Sequence, residues 1–264
     1  MSLIVTSFVN EGIVMAADSR ITLKKIKPNG PLIETSMLPF SDSANKIFVC
    51  PNGCGISACG DAGYRNKPIA GFIEQFIENH IDKNTKVSDI PKKIIEYFNN
   101  LDITKTSTFH VAGYEEDNGE FKQQIFKVIT GRNNSILKQQ TDNMQGALWD
   151  GESLILTKLM KCQILIPPCI NVKNLEFNVD GETKCIENAI VINRESNIVL
   201  PEAQISWENM SLQDAVDFVV FAIETTIKSM RFLSVYKTVG GPIDILIIKP
   251  KDAKWLQRKK LKAK

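Results

Sequence analysis

The chain has 264 residues, of which 43% are hydrophobic and 23% are charged, with 32 lysines and arginines against 30 aspartates and glutamates. This balance is typical of a soluble globular protein that is long enough for one large or two small domains. A net charge of +2 argues against nucleic acid as the main partner, because the sequence has no broad excess of basic residues.

We expect neither export nor a membrane span. The apolar stretch from Ile4 to Val9 is too short for a signal peptide and lacks a basic flank, and no apolar run is long enough to cross a bilayer. The six cysteines have no CxxC spacing, and only two histidines accompany them. Free buried thiols, no metal, no cofactor and a cytoplasmic location are therefore predicted.

Residues 2 to 20 predict a β-hairpin that is apolar on both faces. Val9 and Ile13 flank the segment Asn-Glu-Gly, which suits a three-residue turn with a left-handed glycine. Strands that are apolar on both faces are covered on both sides, so this hairpin is expected inside a layered protein. Its two alternating apolar sets are Leu3, Val5, Val9, Ile13, Met15 and Ala17, and Ile4, Phe8, Val14 and Ala16.

The end of the predicted hairpin brings charge next to the start of the chain. In this register Asp18 lies opposite Ile4, and Ser2 and Arg20 share its face. Charged groups in a covered strand are costly unless they are paired. A serine whose own amine can be freed, beside a carboxylate, indicates an N-terminal nucleophile. The alternative is a purely structural pairing of Asp18 with Arg20 or with the backbone.

Beyond residue 20 the sequence predicts two packed sheets flanked by helices. The elements follow the order strands, helices, strands, helices, strand, without the βαβ rhythm of a parallel sheet. Residues 163–209 carry no readable pattern. The predicted elements are an extended arm over 21–43, a hairpin over 46–50 and 54–60, helices over 61–80 and 88–101 (the latter capped by Ser88), strands over 107–114 and 123–131, a short helix over 151–160, a capped helix over 211–230 and a strand over 243–248.

Four segments form a recognisable set: Gly-Ile-Val-Met-Ala-Ala-Asp-Ser-Arg (12–20), Asn-Lys-Ile-Phe (45–48), Ser-Ala-Cys-Gly-Asp-Ala (57–62) and Gly-Gly-Pro-Ile-Asp-Ile-Leu-Ile-Ile (240–248). Together they resemble the proteasome subunit family, and most of all a bacterial-type proteasome-like protein. The resemblance is strongest over residues 2–80 and weaker over 211–249. It implies the N-terminal-nucleophile hydrolase fold, an α+β, four-layer αββα sandwich of two antiparallel sheets flanked by helices. It also implies a single domain over 1–249, with an insertion at about 24–43 and a basic C-terminal tail over 250–264.

The resemblance also implies a catalytic set. In catalytic family members a terminal threonine stands sixteen residues before the aspartate of the Asp-Ser-Arg motif, and Ser2 holds that position relative to Asp18. A family lysine precedes, by fourteen residues, a glycine whose amide faces the reacting oxygen, and Lys46 and Gly60 have this separation. Ser2, Asp18, Lys46 and Gly60 are thus the implied catalytic residues, and Ala58 is implied to line the substrate pocket.

Residue chemistry supports this set. A hydroxyl is a poor nucleophile until a base takes its proton, and a terminal α-amine with a pKa near ~8 can do so at neutral pH. Removal of Met1 is favoured by the small Ser2, and without it there is no free amine at that residue. Thr6 is the rival nucleophile, although five residues would have to be cut away before it.

The sequence departs from the family pattern in three respects. Serine replaces threonine, an insertion of about a dozen residues lies within 24–43, and the acidic and serine residues that support the amine have no clear match, with Ser234 as a weak candidate. Three functions therefore stay open. The first is a threonine-type endopeptidase that assembles into rings or a larger homo-oligomer, takes peptides or unfolded proteins and works with an ATP-dependent unfoldase. The second is a catalytically silent structural subunit, and the third is an amidohydrolase for small molecules.

Three other polar residues have structural interpretations. Arg20 is expected to tie the hairpin to a neighbouring loop. Asp61 is expected to cap a helix, and His110 to be a hydrogen-bonded core histidine.

Overall fold

The computed structural model describes residues 2–29, 32–61, 63–64, 67–101, 105–139, 144–161, 170–179, 182–191 and 205–260. The strands in these ranges are β1 (Leu3–Val9), β2 (Gly12–Ala17), β3 (Ile21–Asn29), β4 (Leu32–Ser41), β5 (Ile47–Val49), β6 (Gly55–Gly60), β7 (Gly63–Tyr64), β8 (Lys67–Pro68), β9 (Ser107–Asp117), β10 (Glu120–Thr130), β11 (Ser135–Gln139), β12 (Gly146–Gly151), β13 (Ile170–Val179), β14 (Glu182–Val191), β15 (Asp244–Lys249) and β16 (Asp252–Gln257). The helices are α1 (Ile69–His80), α2 (Ile90–Asn100), α3 (Leu154–Lys161) and α4 (Leu212–Met230). None of the helices described is long and apolar enough to span a membrane.

The chain divides into two units, Met1–Ile155 with Ser206–Lys264, and Leu156–Ile205. The larger unit is built on two five-stranded antiparallel sheets. The first has the order β12-β1-β2-β15-β16 and the second the order β11-β10-β9-β6-β5. In the smaller unit β13 and β14 form an antiparallel hairpin. A single domain over 1–249 stays a prediction.

The two sheets of the larger unit face each other across an apolar core. This core contains Ile4, Phe8, Ile13, Met15 and Ala17 of the first hairpin, packed against Ile47, Cys59, Ala112 and Ile125 of the second sheet. The opposite face of the second sheet carries α1 and α2, through an apolar cluster that includes Phe72, Phe76, Ile94 and Phe98.

Helix α4 covers the outer side of β1 and β2. It begins with the predicted cap: the Asp214 N–H donates to the Ser211 hydroxyl at 3.2 Å, and the Ser211 N–H donates to the Asp214 carboxylate at 2.8 Å. The layers therefore run helix, sheet, sheet, helices. This confirms the predicted α+β class and its four-layer αββα arrangement.

The first hairpin forms, but its register differs from the prediction by one residue. Val9 pairs with Gly12 across a two-residue turn, so Ile4 lies opposite Ala17. A one-residue change of register moves one strand's side chains to the other face, and Ile13 and Met15 accordingly share a face with Ile4 rather than with Leu3. Gly12 is a strand residue, where a Cβ would lie only 3.1 Å from the Ile248 carbonyl oxygen.

Two helix starts also differ from the prediction. Helix α1 begins at Ile69, after the short β7 and β8, so Asp61 is not its N-cap. Helix α2 follows a 3-10 turn over Val87–Asp89, and the Ser88 N–H donates to the Glu115 carboxylate instead of Ser88 acting as a cap. Strands β11, β12 and β16 had no predicted counterpart.

The predicted arm is an antiparallel ribbon of β3 and β4, with Ile21 paired to Ser41 at its base. Of the basic segment after residue 250, Asp252–Gln257 pair with β15 as an edge strand.

Candidate active site

A buried ion pair lies where the first hairpin ends. The Lys46 ammonium donates to Asp18 Oδ1 at 2.7 Å and to the Arg20 carbonyl oxygen at 2.7 Å. Lys46 is 6% exposed and Asp18 1% exposed. Burial lowers the pKa of Lys46 below its ordinary value, and the Asp18 carboxylate opposes that change. The structure thus brings together two of the four predicted residues in direct contact.

Three backbone groups fix the Asp18 carboxylate in addition to Lys46. The Leu3 N–H donates to Oδ1 at 2.9 Å, and the N–H groups of Arg20 and Gly240 donate to Oδ2 at 3.1 and 3.0 Å. The register explains this arrangement, because Asp18 lies opposite Leu3 just after β2 ends, and the Asp18 N–H donates to the Leu3 carbonyl. A carboxylate with four donors is fixed in one position.

Ser2, Lys46 and Gly60 line one cavity of about 200 Å³. Asp18 lies behind Lys46 and does not border it. Apolar side chains form much of the remaining wall, among them Ala44, Ala58 and Ile69. Three of the four predicted residues therefore line a shared cavity, and Asp18 contacts one of them, Lys46.

Gly60 ends β6 in the left-handed region, with φ of +117°. A Cβ there would lie 2.7 Å from the Thr106 carbonyl oxygen, so both the conformation and the space require glycine. Because α1 begins only at Ile69, Gly60 is not at a helix N-terminus, contrary to the strand-to-helix junction expected for it. Its N–H therefore has no helix dipole behind it.

Strand β12 holds the residue that would become the chain terminus. The Glu152 N–H donates to the Ser2 carbonyl oxygen at 2.8 Å. A Cβ on Gly151 would lie 1.8 Å from that same oxygen, so this approach is possible only for glycine. The Glu152 carboxylate in turn accepts a hydrogen bond from the Thr238 hydroxyl at 3.2 Å.

These contacts were missed in the sequence. The sequence predicts a helix over residues 151–160, so the end of β12 at Gly151 was not predicted. Thr238 lies in no sequence pattern that indicates a role. Gly240 belongs to one of the segments that carry the family resemblance. No signal within the sequence places it on Asp18.

Arg20 has the structural role expected for it. Its guanidinium makes a bidentate pair with Asp42, with distances of 2.7 and 2.8 Å, and reaches the Lys237 carbonyl oxygen at 3.3 Å. This hydrogen-bonded pair holds the pKa of Asp42 below its usual range. Arg20 thereby joins the base of the β3–β4 ribbon to the segment that leads to Gly240.

The rival nucleophile Thr6 is completely buried between the sheets. Its hydroxyl lies 2.9 Å from His110 Nδ1, and His110 Nε2 lies 3.0 Å from Asp150 Oδ2. Lys127 donates to the same carboxylate at 2.5 Å. Burial lowers the pKa of His110. The network agrees with a hydrogen-bonded core histidine, and Thr6 does not border the cavity.

Ser234, the weak candidate for supporting the amine, is exposed and also does not border the cavity. Cys59 does border it, and burial raises the pKa of this thiol to about 12. Cys50, Cys54 and Cys59 are free and buried. Among the described residues no group of three histidine, cysteine, aspartate or glutamate side chains could hold a metal ion.

The chain is similar to solved structures along nearly all of its length. For Anbu (ancestral beta-subunit) from Yersinia bercovieri, the alignment covers 96% of this chain and 86% of that chain, with 10% identity and a TM-score of 0.49. For the Anbu (Gly-1) mutant from Hyphomicrobium sp. strain MC1, the alignment covers 98% of this chain and 86% of that chain, with 12% identity and a TM-score of 0.49. For Anbu from the same strain, it covers 98% of this chain and 88% of that chain, with 12% identity and a TM-score of 0.47. No family model matches the sequence, and no curated protein matches it.

Proposed function

We propose that this chain is a proteasome-like N-terminal-nucleophile peptidase in which Ser2 attacks peptide bonds after Met1 is removed. The observation that carries the proposal is the buried Lys46–Asp18 pair, whose lysine lines the same cavity as Ser2 and Gly60. A buried ion pair and a serine at one concave site form an arrangement suited to nucleophilic catalysis.

The proposed reaction uses the chain's own groups and water. Ser2 Oγ attacks the carbonyl carbon of the scissile amide while its proton passes to the free α-amine of the same residue. The ammonium so formed gives this proton to the leaving nitrogen as the C–N bond breaks, which leaves an ester on Ser2. Water then attacks the ester, the amine takes its proton, and the serine hydroxyl is restored as the acid product departs.

Lys46 supports the attack in two ways. Its positive charge favours the developing alkoxide on Ser2, and the like charge lowers the proton affinity of the nearby α-amine. Asp18 keeps the ammonium in place and balances its charge, so that the buried cation remains tolerable. The Gly60 N–H is the proposed oxyanion donor, a contribution of about 3 kcal/mol for one such group.

The cavity walls favour a small or medium apolar side chain of the substrate, with Ala58 at the wall as the resemblance implies. About 200 Å³ accommodates a single side chain rather than a folded segment. Self-association into rings or a larger homo-oligomer, substrates in the form of peptides or unfolded proteins, and an ATP-dependent unfoldase as partner are proposed from the resemblance alone.

Two observations favour the alternative functions, one observation for each. Ser234 is exposed and does not border the cavity, so it does not supply the expected support for the amine. This favours a silent structural subunit. Ser41 and Ser43, at the end of the inserted ribbon, line the cavity. Side chains from this ribbon would narrow the site, which favours small amide substrates.

The test combines intact mass, turnover and two matched serine variants. We expect the mass of the isolated protein to lack Met1, fluorogenic peptides to be hydrolysed, and Ser2→Ala to abolish this hydrolysis. Ser7→Ala is the control, because Ser7 lies on β1, the strand that follows Ser2, is fully buried and does not border the cavity. Activity that survives in Ser2→Ala would rule out Ser2 as the nucleophile.

The same preparations separate the alternatives. A silent subunit would form assemblies, visible by native mass spectrometry, without turnover or covalent labelling at Ser2. An amidohydrolase would cleave small amides and leave peptides of four or more residues intact.

A further inference from the structure

The proposed reaction creates a positive charge on the Ser2 amine, and a cation formed in a largely buried site needs a counter-charge. Asp18 is not free to supply it. Its two oxygens already accept hydrogen bonds from Lys46 and from three backbone N–H groups, and its charge is balanced by the Lys46 ammonium. A second carboxylate close to Ser2 would supply this counter-charge both before and after the oxyanion exists.

Glu152 is the acidic residue that the sheet places opposite Ser2. Strand β12 pairs with β1 so that Gly151 lies opposite Leu3, and the next pair in this register is Glu152 with Ser2. The hydrogen bond of 2.8 Å from the Glu152 N–H to the Ser2 carbonyl oxygen continues the ladder. Glu152 follows the end of β12 and the positive φ of Gly151, so this backbone hydrogen bond, rather than the pleat of a strand, brings it against Ser2. A glutamate side chain is long enough to extend from there to the Ser2 nitrogen, so the Glu152 carboxylate is within reach of the Ser2 amine.

Thr238 restricts where that carboxylate lies. Its hydroxyl donates to Glu152 Oε2 at 3.2 Å, and Thr238 is 1% exposed. Thr238 stands two residues before Gly240, whose N–H binds Asp18. No other hydrogen bond reaches the Glu152 carboxylate from the residues that the structure describes, so Oε1 can accept one from an amine.

We propose that Glu152 is the positioning residue of the Ser2 amine and that Thr238 holds its carboxylate. This inference deepens the proposed function and rests on it. Glu152 accepts an N–H of the amine, which directs the nitrogen lone pair towards Ser2 Oγ, and its charge then stabilises the ammonium until the proton passes to the leaving nitrogen.

The sharpest variant is Glu152→Gln, which keeps an oxygen for Thr238 and removes the charge. Loss of a nearby anion lowers the pKa of an amine. We therefore expect the acid limb of the pH profile of kcat/KM to shift to lower pH, kcat to fall about 10- to 100-fold, and KM to stay unchanged. Thr238→Val should produce a smaller change in the same direction, and Thr238→Ser should restore wild-type behaviour.

Glu120→Gln is the matched control, because Glu120 is exposed at the turn between β9 and β10. We expect this variant to keep the wild-type profile. A fall of kcat in Glu152→Gln with an unmoved acid limb would show that Glu152 only supports the strand, and would overturn the inference.

A second measurement does not depend on turnover. Competitive acetylation across a pH series, followed by peptide mass spectrometry, reports the pKa of the Ser2 amine directly. We expect this pKa to be lower in Glu152→Gln than in the wild type, and equal values would overturn the assignment of Glu152. A wild-type protein with a free Ser2 amine but without hydrolysis or covalent labelling would instead overturn the proposed function.

Discussion

Lys259 and Asp244 form an ion pair in which the two side chains are only 6% and 4% exposed. The Lys259 backbone N–H also donates to the Asp244 carboxylate at 2.8 Å. Asp244 lies opposite Ala17, the residue before Asp18, so a second buried ion pair lies on the strand next to the end of β2. The sequence places Lys259 in a basic tail, whereas the structure anchors this part of the chain at the site.

The first prediction concerns this second pair. Lys259→Met leaves the Asp244 carboxylate buried and unpaired, so we expect the free energy of unfolding to fall by about 3–5 kcal/mol. Adding Asp244→Asn should recover much of the loss. Urea denaturation measures both, and the exposed Lys260→Met should have little effect. Equal losses in the single and double variants would contradict a coupled pair.

The second prediction concerns Lys46. Lys46→Met should lower kcat/KM about a thousand-fold or more, because it removes the charge that favours the alkoxide. Members of one catalytic unit are not additive, so the double variant with Ser2→Ala should be no slower than Ser2→Ala alone. Initial rates with a fluorogenic peptide measure this. A double variant that is slower by the product of the two single effects would show that Lys46 acts independently of Ser2.

The third prediction concerns the glycine beside Ser2. Gly151→Ala places a Cβ where the Ser2 carbonyl oxygen lies, so we expect the chain start to be displaced and turnover to be lost. Gly53→Ala is a suitable control, since Gly53 also has a positive φ, of +81°, but nothing lies within 4 Å of its Cβ position. Backbone strain alone costs about 1–2 kcal/mol, which the control reports. Equal activity in both variants would dismiss the contact at Ser2.

The fourth prediction concerns His110 and pH. Burial lowers the pKa of His110, so the unfolded chain binds its proton more tightly than the folded chain does. Stability should therefore decline as the pH falls below about 6.5, the ordinary histidine pKa, towards the lowered value in the fold. The pKa of Asp150 is also lowered: burial alone would raise it, but hydrogen bonds and charge from His110 and Lys127 outweigh burial. Protonation of Asp150 therefore lowers stability further, at a lower pH than the effect of His110.

His110→Gln tests this origin. We expect its urea midpoint to change less between pH 7 and pH 5 than the wild-type midpoint does. An unchanged slope would assign the acid sensitivity to other groups.

Much of the architecture was readable because it depends on local patterns. The capping sequence at Ser211 and the apolar faces of the first hairpin predicted a capped helix and a covered sheet, and both are present. The register of the hairpin was not readable, because Gly12 serves as a strand residue under the Ile248 carbonyl rather than as a turn residue. That choice is made by a strand more than 200 residues away.

Only the part of the candidate site that depends on motif spacing along the chain could be predicted from the sequence. Asp18 and Lys46, two residues of the set that the resemblance implies, are in contact, and Gly60 borders the cavity that Lys46 lines. Glu152 and Thr238 were hidden, because their relation to Ser2 arises from the pairing of β1 with β12 and from a segment that follows α4. Such contacts link distant parts of the chain, and no periodicity within either segment records them.

None of the four hydrogen bonds to the Asp18 carboxylate comes from the Ser2 amine. The charged half of the site is thus complete before the amine exists, and we expect the untrimmed chain to fold into a latent form with its carboxylate and ammonium already in register. Under the proposed function, removal of Met1 would release the amine beside charged groups that are already in place, and activation would depend on this covalent step rather than on a rearrangement of the site.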